Sequence, residues 1–294
     1  KTFMSGQDMI WNRLPQTWYE APFMGNGSMG TYICKEPEKN AIRVDVNNSM
    51  VHDHREDDKG IYGRSRLLIG YFLLHPVGEI TSGTMRLDLW DAETRGCIRT
   101  TSGEIKLRAC VTSESPYIIV EAEATEGERG FTWRFYPEST DSPRQLNAIL
   151  KKSKNHFKKD YISNPASQLY ERNGLNYCWQ PLLAGGGTAT VWKEIRKGNK
   201  SVLVISNAHS FPETDALKKG GDRIGKPANG GYIPPPASTP GLVAQLLPPK
   251  LHKPARQKDR KLLLGANVQA GIRNTRRRRT AGQQRPLASA DSLA

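Results

Sequence analysis

The stretch TATVWKEIRKGNKSVLVISNA, residues 188–208, limits the fold more than any other. Two runs rich in β-branched residues flank Gly198-Asn199, the kind of two-residue turn that joins antiparallel strands. The same grammar recurs along the first three quarters of the chain. KLRACV places Leu107, Ala109 and Val111 on one face with charged or polar residues on the other, and TMRLDLWD does the same with Met85, Leu87 and Leu89. A period of two marks a strand with one buried face. PYIIVEAEATEGERGFTWRFYPE holds two further β runs around a Glu-Gly turn, and RLLIGYFLLHPVGEI is a long apolar run broken by Pro76 and Gly78. Many short strands separated by turn residues predict an all-β chain, a large antiparallel sandwich. Helix signals are sparse. LNAILKKSKNHFKKDYI can form a short inserted helix, and SFPETDALKK predicts a helix starting near Ser210, with Pro212 and early acids in its first turn.

Charge divides the sequence in two. Residues 1–219 carry 29 Lys+Arg against 26 Asp+Glu, whereas residues 220–294 carry 14 against 3. That second part also holds nine of the 19 prolines and one of the 23 aromatic residues, Tyr232. The chain is therefore expected to be a near-neutral globular domain, 1–219, followed by a disordered basic tail, 220–294. The run GIRNTRRRRTAGQQRP in the tail has the look of a nucleic-acid or nuclear-targeting patch. No apolar run reaches the length of a membrane span. Residue 1 is Lys1, which fits either removal of a leader or an N-terminus cut from a longer reading frame. The four cysteines, Cys34, Cys97, Cys110 and Cys178, lie far apart without CxxC spacing; they read as buried thiols or at most one disulfide, with no zinc site.

Two local motifs stand out. In APFMGNGSMGTYI, Gly25, Gly27 and Gly30 fit GxGxxG. A dinucleotide site requires a helix after the glycines, and here a β run follows. The glycines serve a tight turn, and the functional reading is a loop at the sandwich edge that brings Asn26 near a ligand. In DVNNSMVHDHREDD, His52 and His54 would share one face of a strand. No third His or Cys lies nearby at ligand spacing, so no metal is assigned and polar contact to a sugar or to a neighbouring domain is preferred. No pair of carboxylates is singled out by spacing, as glycoside hydrolysis would need. Sequons occur at Asn26, Asn47 and Asn199 and matter only in a eukaryotic secretory setting. Trp11, Trp18, Tyr19, Trp90, Trp133 and Trp179 are aromatics that could stack on sugars or sit buried.

The run WNRLPQTWYEAPFMGNGSMGTYI, followed by AIRVDVNNSMVHD, resembles the opening of bacterial glycoside hydrolases of the family 95 type (α-L-fucosidase-like) and their relatives. YCWQPLLAGGGTATVWKEIRKGNKSVLVISNAHS resembles the closing strands of the same N-terminal domain, so the resemblance covers roughly residues 8–219. DVNNSMVHDHRE departs from the Asn-Glu-containing Trp turn of the better-known fucosidases, which leaves the sugar open. The resemblance implies a β-supersandwich that supports and rims the active site of a following (α/α)6 catalytic toroid. It also implies a secreted or periplasmic location. The partner it implies is a carbohydrate, an oligosaccharide or polysaccharide; it implies no cofactor, no membrane and no native nucleic-acid partner. No catalytic residue is assigned to this chain. Asn26, His52 and His54 are its candidate substrate-binding residues.

Where that toroid would begin, the pattern fails. Read one base off, Leu242–Gln245 permits WWH, residues 249–275 permit QSFISLPDKKIESFYWAQMYKLASATR, and residues 285–294 permit GPWLQPTPW. These strings resemble toroid segments and restore the missing aromatics. The tail is therefore read as an out-of-frame remnant, with the shift between Lys219 and Leu242, and its arginines as a by-product of GC-rich codons. On this reading the chain is inactive alone and exposes an apolar face that lowers its solubility. The alternatives are a free-standing carbohydrate-binding sandwich and a nucleic-acid binder acting through the tail, which predicts steeply salt-dependent DNA binding.

Overall fold

The computed structural model describes residues 2–55, 65–113, 116–150 and 160–225. The expected disordered tail beyond residue 225, and with it the arginine run, lies outside the described residues.

A short helix α1 (Thr2–Ser5) and strand β1 (Met9–Trp11) lead in. β2 (Phe23–Gly25), β3 (Met29–Lys35), β4 (Ile42–Asn48) and β5 (Gly70–His75) follow as a meander. Then come β6 (Ile80–Asp88), β7 (Glu93–Thr100), β8 (Glu104–Val111), β9 (Tyr117–Ala124) and β10 (Thr132–Pro137). Helix α2 (Pro143–Leu150) precedes β11 (Gln168–Arg172), β12 (Leu175–Pro181), β13 (Gly187–Lys197) and β14 (Lys200–Ser210), and α3 (Ala216–Gly225) follows. The strands form a nine-stranded sheet, β1-β6-β7-β8-β9-β14-β13-β12-β11, and a five-stranded sheet, β10-β5-β4-β3-β2, with every pairing antiparallel. The fold is thus an all-β antiparallel sandwich, as the alternation predicts.

The hairpin at Gly198-Asn199 forms as read, with Lys197 paired to Lys200 and Gly198 at φ +61°. Met85 and Leu87 point into the core on β6, while Leu89 falls beyond the strand end and is exposed. The two runs around Glu126-Gly127 are both strands, but they enter different sheets, so the turn between them carries the chain across the sandwich. Inner faces interlock in one core: Phe72, Ile33 and Val44 from the small sheet meet Ile98, Ile118 and Leu203 from the large one. Full burial of each such side chain contributes about 1.5–3 kcal/mol.

Both helices differ from expectation. The inserted helix starts at Pro143, before Leu146, and of the expected span residues 151–159 lie outside the described residues. The C-terminal helix begins at Ala216, six residues later than Ser210. Ser210 is still its cap in effect, because its hydroxyl accepts the Ala216 N–H at 3.0 Å. α3 crosses the expected domain boundary at Lys219 and lies on the outer face of the large sheet. Leu217 and Ile224 pack there on Leu175, Tyr177 and Val191. Its interior glycines suit that seat: a Cβ on Gly220 would come within 2.8 Å of Val191, and one on Gly221 within 2.9 Å of the Tyr177 hydroxyl. Among the described residues no helix is long and apolar enough to cross a membrane.

Candidate functional site

Strand direction gives the sandwich two ends. One gathers the starts of β3, β9 and β13 with the finishes of β4, β8 and β14, and here a cleft of about 570 Å³ opens. Asn26, His52 and His54, the three candidate residues, all line it. The fold adds His209 and Phe211 from the end of β14 and the loop beyond, Asn48 and Asn207 from two strand ends, and Lys219 from α3.

Asn26 sits in the β2–β3 turn, where Gly27 takes φ +93°. Its Oδ1 accepts the N–H groups of Ser28 and Met29 at 3.0 and 2.8 Å, and its Nδ2 donates to the Thr112 carbonyl at 2.8 Å. The last bond ties the small sheet to the large one. Asn26 therefore shapes the rim, and its amide is engaged inside the protein. A second tie lies beside it, where Asn48 Nδ2 donates to Asn207 Oδ1 at 2.8 Å. The other sequon asparagines are also engaged: Asn47 donates to Asp45 and Asn199 to the Ala124 carbonyl.

The HDHR segment is not a strand as read. His52 forms an isolated bridge with Arg66, and His54 lies in the left-handed region at φ +61°. The two rings are still neighbours, 6.0 Å apart. The intervening Asp53 turns inward, is fully buried, and meets Arg55 Nε at 2.9 Å and Asn164 Nδ2 at 3.2 Å. Arg55 in turn covers the Tyr161 ring and donates to the Ile162 carbonyl. Asp53 and Arg55 are thus struts that fix the loop carrying the histidines.

The third histidine, which local spacing does not show, comes from 155 residues away. His54 Nε2 lies 2.7 Å from His209 Nε2, and His209 Nδ1 lies 2.9 Å from the Thr188 hydroxyl. Phe211 stacks on the outer face of His54 with centroids 4.2 Å apart and planes at 6°. Only one proton fits between the two Nε2 atoms, so one ring donates and the other accepts. Burial holds the His209 pKa down to about 4, assisted by the neighbouring His54 and His52, and burial lowers His54 as well. Near neutral pH the pair is uncharged. Among the described residues no group of three His, Cys, Asp or Glu side chains is arranged to hold a metal ion.

The cleft thus presents an aromatic stack, the uncharged His54–His209 pair, amides, the Lys219 side chain, and Glu213 as the one carboxyl side chain among its described lining residues. A smaller cleft of about 520 Å³ adjoins it across the His54–Phe211 wall and includes Tyr161 and Leu183. Of the aromatics singled out in the sequence, Trp18 and Tyr19 stand exposed, outside the described lining of either cleft. Trp11, Trp133 and Trp179 are packed against core residues. The cysteines are free thiols, with Cys34, Cys110 and Cys178 buried and Cys97 partly exposed.

No protein-family model matches the chain, and no curated protein matches it. Thirteen chains of solved structures match. One of them, described as a kojibiose phosphorylase from human microbiome, aligns at a TM-score of 0.39 and 11% identity over 68% of this chain and 30% of that one.

Proposed function

We propose that this chain is the sandwich domain of a carbohydrate-active enzyme and that its histidine cleft holds a neutral sugar at the rim of an active site. The observation that carries the reading is the convergence of Asn26, His52 and His54 with His209 and Phe211 on one sugar-sized cleft. Ring faces paired with uncharged hydrogen-bonding groups suit a ligand with one apolar face and a fringe of hydroxyls. The motif resemblance to family 95-type hydrolases supports the same assignment. Hydrolysis takes two carboxyl groups, and the described lining offers Glu213 alone. Binding is therefore the role of this cleft, and the acid and base would come from a catalytic toroid encoded beyond a frameshift.

Titration of the purified chain with neutral oligosaccharides, followed by NMR or calorimetry, tests the reading. Saturable binding lost on Phe211→Ala, with no turnover of aryl glycosides, is the expected result. Turnover abolished by a change in the cleft would overturn the rim assignment, and absence of binding across a glycan array would overturn the sugar. Tight binding to an extended glycan by the isolated chain would favour a free-standing binding module instead. Sequencing the coding DNA between the codons for Lys219 and Leu242 decides the frameshift.

A further inference from the structure

The outer face of the nine-stranded sheet is divided. Over β12, β13 and the adjoining parts of β14 and β9 it is apolar and α3 packs there. Over β6, β7 and β8 nothing among the described residues covers it, and a concave groove of about 750 Å³ runs across these strands onto Glu121 and Glu123 of β9 and Lys200 of β14.

The floor of this groove has an unusual register. Arg86 on β6 pairs directly with Arg95 on β7, and Arg95 pairs directly with Arg108 on β8. Like charges set opposite one another on a sheet are destabilising. The conflict is moderated from below: Glu93, almost fully buried, takes both Arg95 and Arg108, Glu121 takes Arg108, and Asp8 takes Arg86. Arg108 is spent in this lattice. Arg86 and Arg95 are not. Each binds its carboxyl partner through Nε and Nη2, and among the described residues each Nη1 has no hydrogen-bond partner. Their side chains are 47% and 52% exposed. The row itself continues to Glu121, and in the neighbouring row Lys106 and Lys200 flank Glu123, which pairs with Lys200 at 3.2 Å. The lining thus holds five cations against the two acids Glu121 and Glu123, with Glu93 and Asp8 held by the arginines beside it.

We propose that this groove binds a carboxylated glycan, a chain of uronate residues lying across the strands. A row of guanidinium groups with open Nη1 donors, backed by fixed carboxyl groups, is pre-oriented for planar carboxylates. Directly paired residues on antiparallel strands stand about 4.5–5.5 Å apart. An extended polyuronate carries one carboxylate per sugar, a repeat on that scale. The carboxylate part of the assignment rests on the arginines. The glycan part rests on the carbohydrate reading above.

Cys97 supplies a local probe, because it lines the groove while the other three cysteines are buried. Alkylation of Cys97 in the full chain, read by mass spectrometry, is expected to slow at least fivefold with tetragalacturonate and to be unchanged with maltotetraose. Arg86→Gln with Arg95→Gln should remove the protection while circular dichroism stays native. The double lysine variant should retain part of it, since charge remains but the planar fork is lost. Arg99→Gln, outside the groove lining, should behave as the parent chain. Protection that survives the double glutamine variant, as when the basic tail gathers the oligomer, would overturn the proposal. So would equal protection by maltotetraose, or protection by sulfated oligosaccharides alone. Phe211→Ala separates the two sites: with the groove correct and the histidine cleft misassigned, it alters neither Cys97 protection nor neutral-sugar titrations.

Discussion

The two ends of the sandwich are closed by different means. At the end away from the cleft, Glu128 sits fully buried, and its carboxyl group accepts the N–H groups of Val77 and Gly78 at 2.7 and 2.8 Å and the Thr100 hydroxyl. Asn40 adds two bonds, donating to the Gly78 carbonyl and accepting the Ile80 N–H. The Glu128 carboxyl and the Asn40 amide are thus both engaged within the protein. At the cleft end the sheets are tied by Asn26 and Asn48, but next to those ties stand a left-handed histidine, a single-proton imidazole pair and a half-exposed phenylalanine. Met50 and Leu183 are also left exposed nearby. Around Glu128 a buried carboxyl group organises the closure; at the cleft end a left-handed histidine and open apolar surface line one cavity, the combination that accompanies binding.

The sharpest way to break this contrast is at the closed end. Glu128→Ala leaves two backbone donors without a partner and removes one of the Thr100 hydroxyl's bonds, and it should cost about 3 kcal/mol in urea unfolding. Sugar binding per folded molecule should be unchanged. Gly220→Val comes next. Its side chain would strike Val191 and lift α3, at a cost of about 1–3 kcal/mol, and would weaken sugar binding because Lys219 moves with the helix.

The pH dependence should follow the cleft end. A histidine held neutral when folded binds its proton more readily unfolded, so stability is fully present above the ordinary value of 6.5 and is lost as pH falls toward about 4. Replacing His54 and His209 together with Gln should flatten that slope in a pH series of unfolding curves. A shallower slope of the same sign should remain, because His75 at the closed end is also lowered, first by burial and then by Arg134 and Lys39. The smallest stability effect is expected from Phe211→Ala. A half-exposed ring at the cleft mouth should cost about 1 kcal/mol or less, yet sugar affinity should fall at least tenfold.

Strands were legible because their information is local. Alternation in KLRACV and the Gly198-Asn199 turn each act within a few residues. Membership of a sheet was not legible: β9 and β10 look alike in sequence, and a crossing between layers leaves no periodic trace. Helix starts were misplaced for a related reason, since Ser210 caps α3 from six residues away across a loop. The site shows the same division. The glycine turn and the HDHR cluster drew attention to Asn26, His52 and His54, and all three reach one cleft. Their roles came from partners distant in sequence. Thr112 engages the Asn26 amide, and His209 engages His54. His209 itself sits at the end of an ordinary strand, and no neighbouring residue marks it.

The seat of α3 also bears on the history of the gene. Two adjacent glycines fall where Val191 and Tyr177 leave no room, and Ile224 follows into an apolar cluster. The residues up to Ile224 thus fit the outer surface of the large sheet. A change of frame, if sequencing finds one, belongs after them, within the stretch of fewer than twenty codons that ends at Leu242.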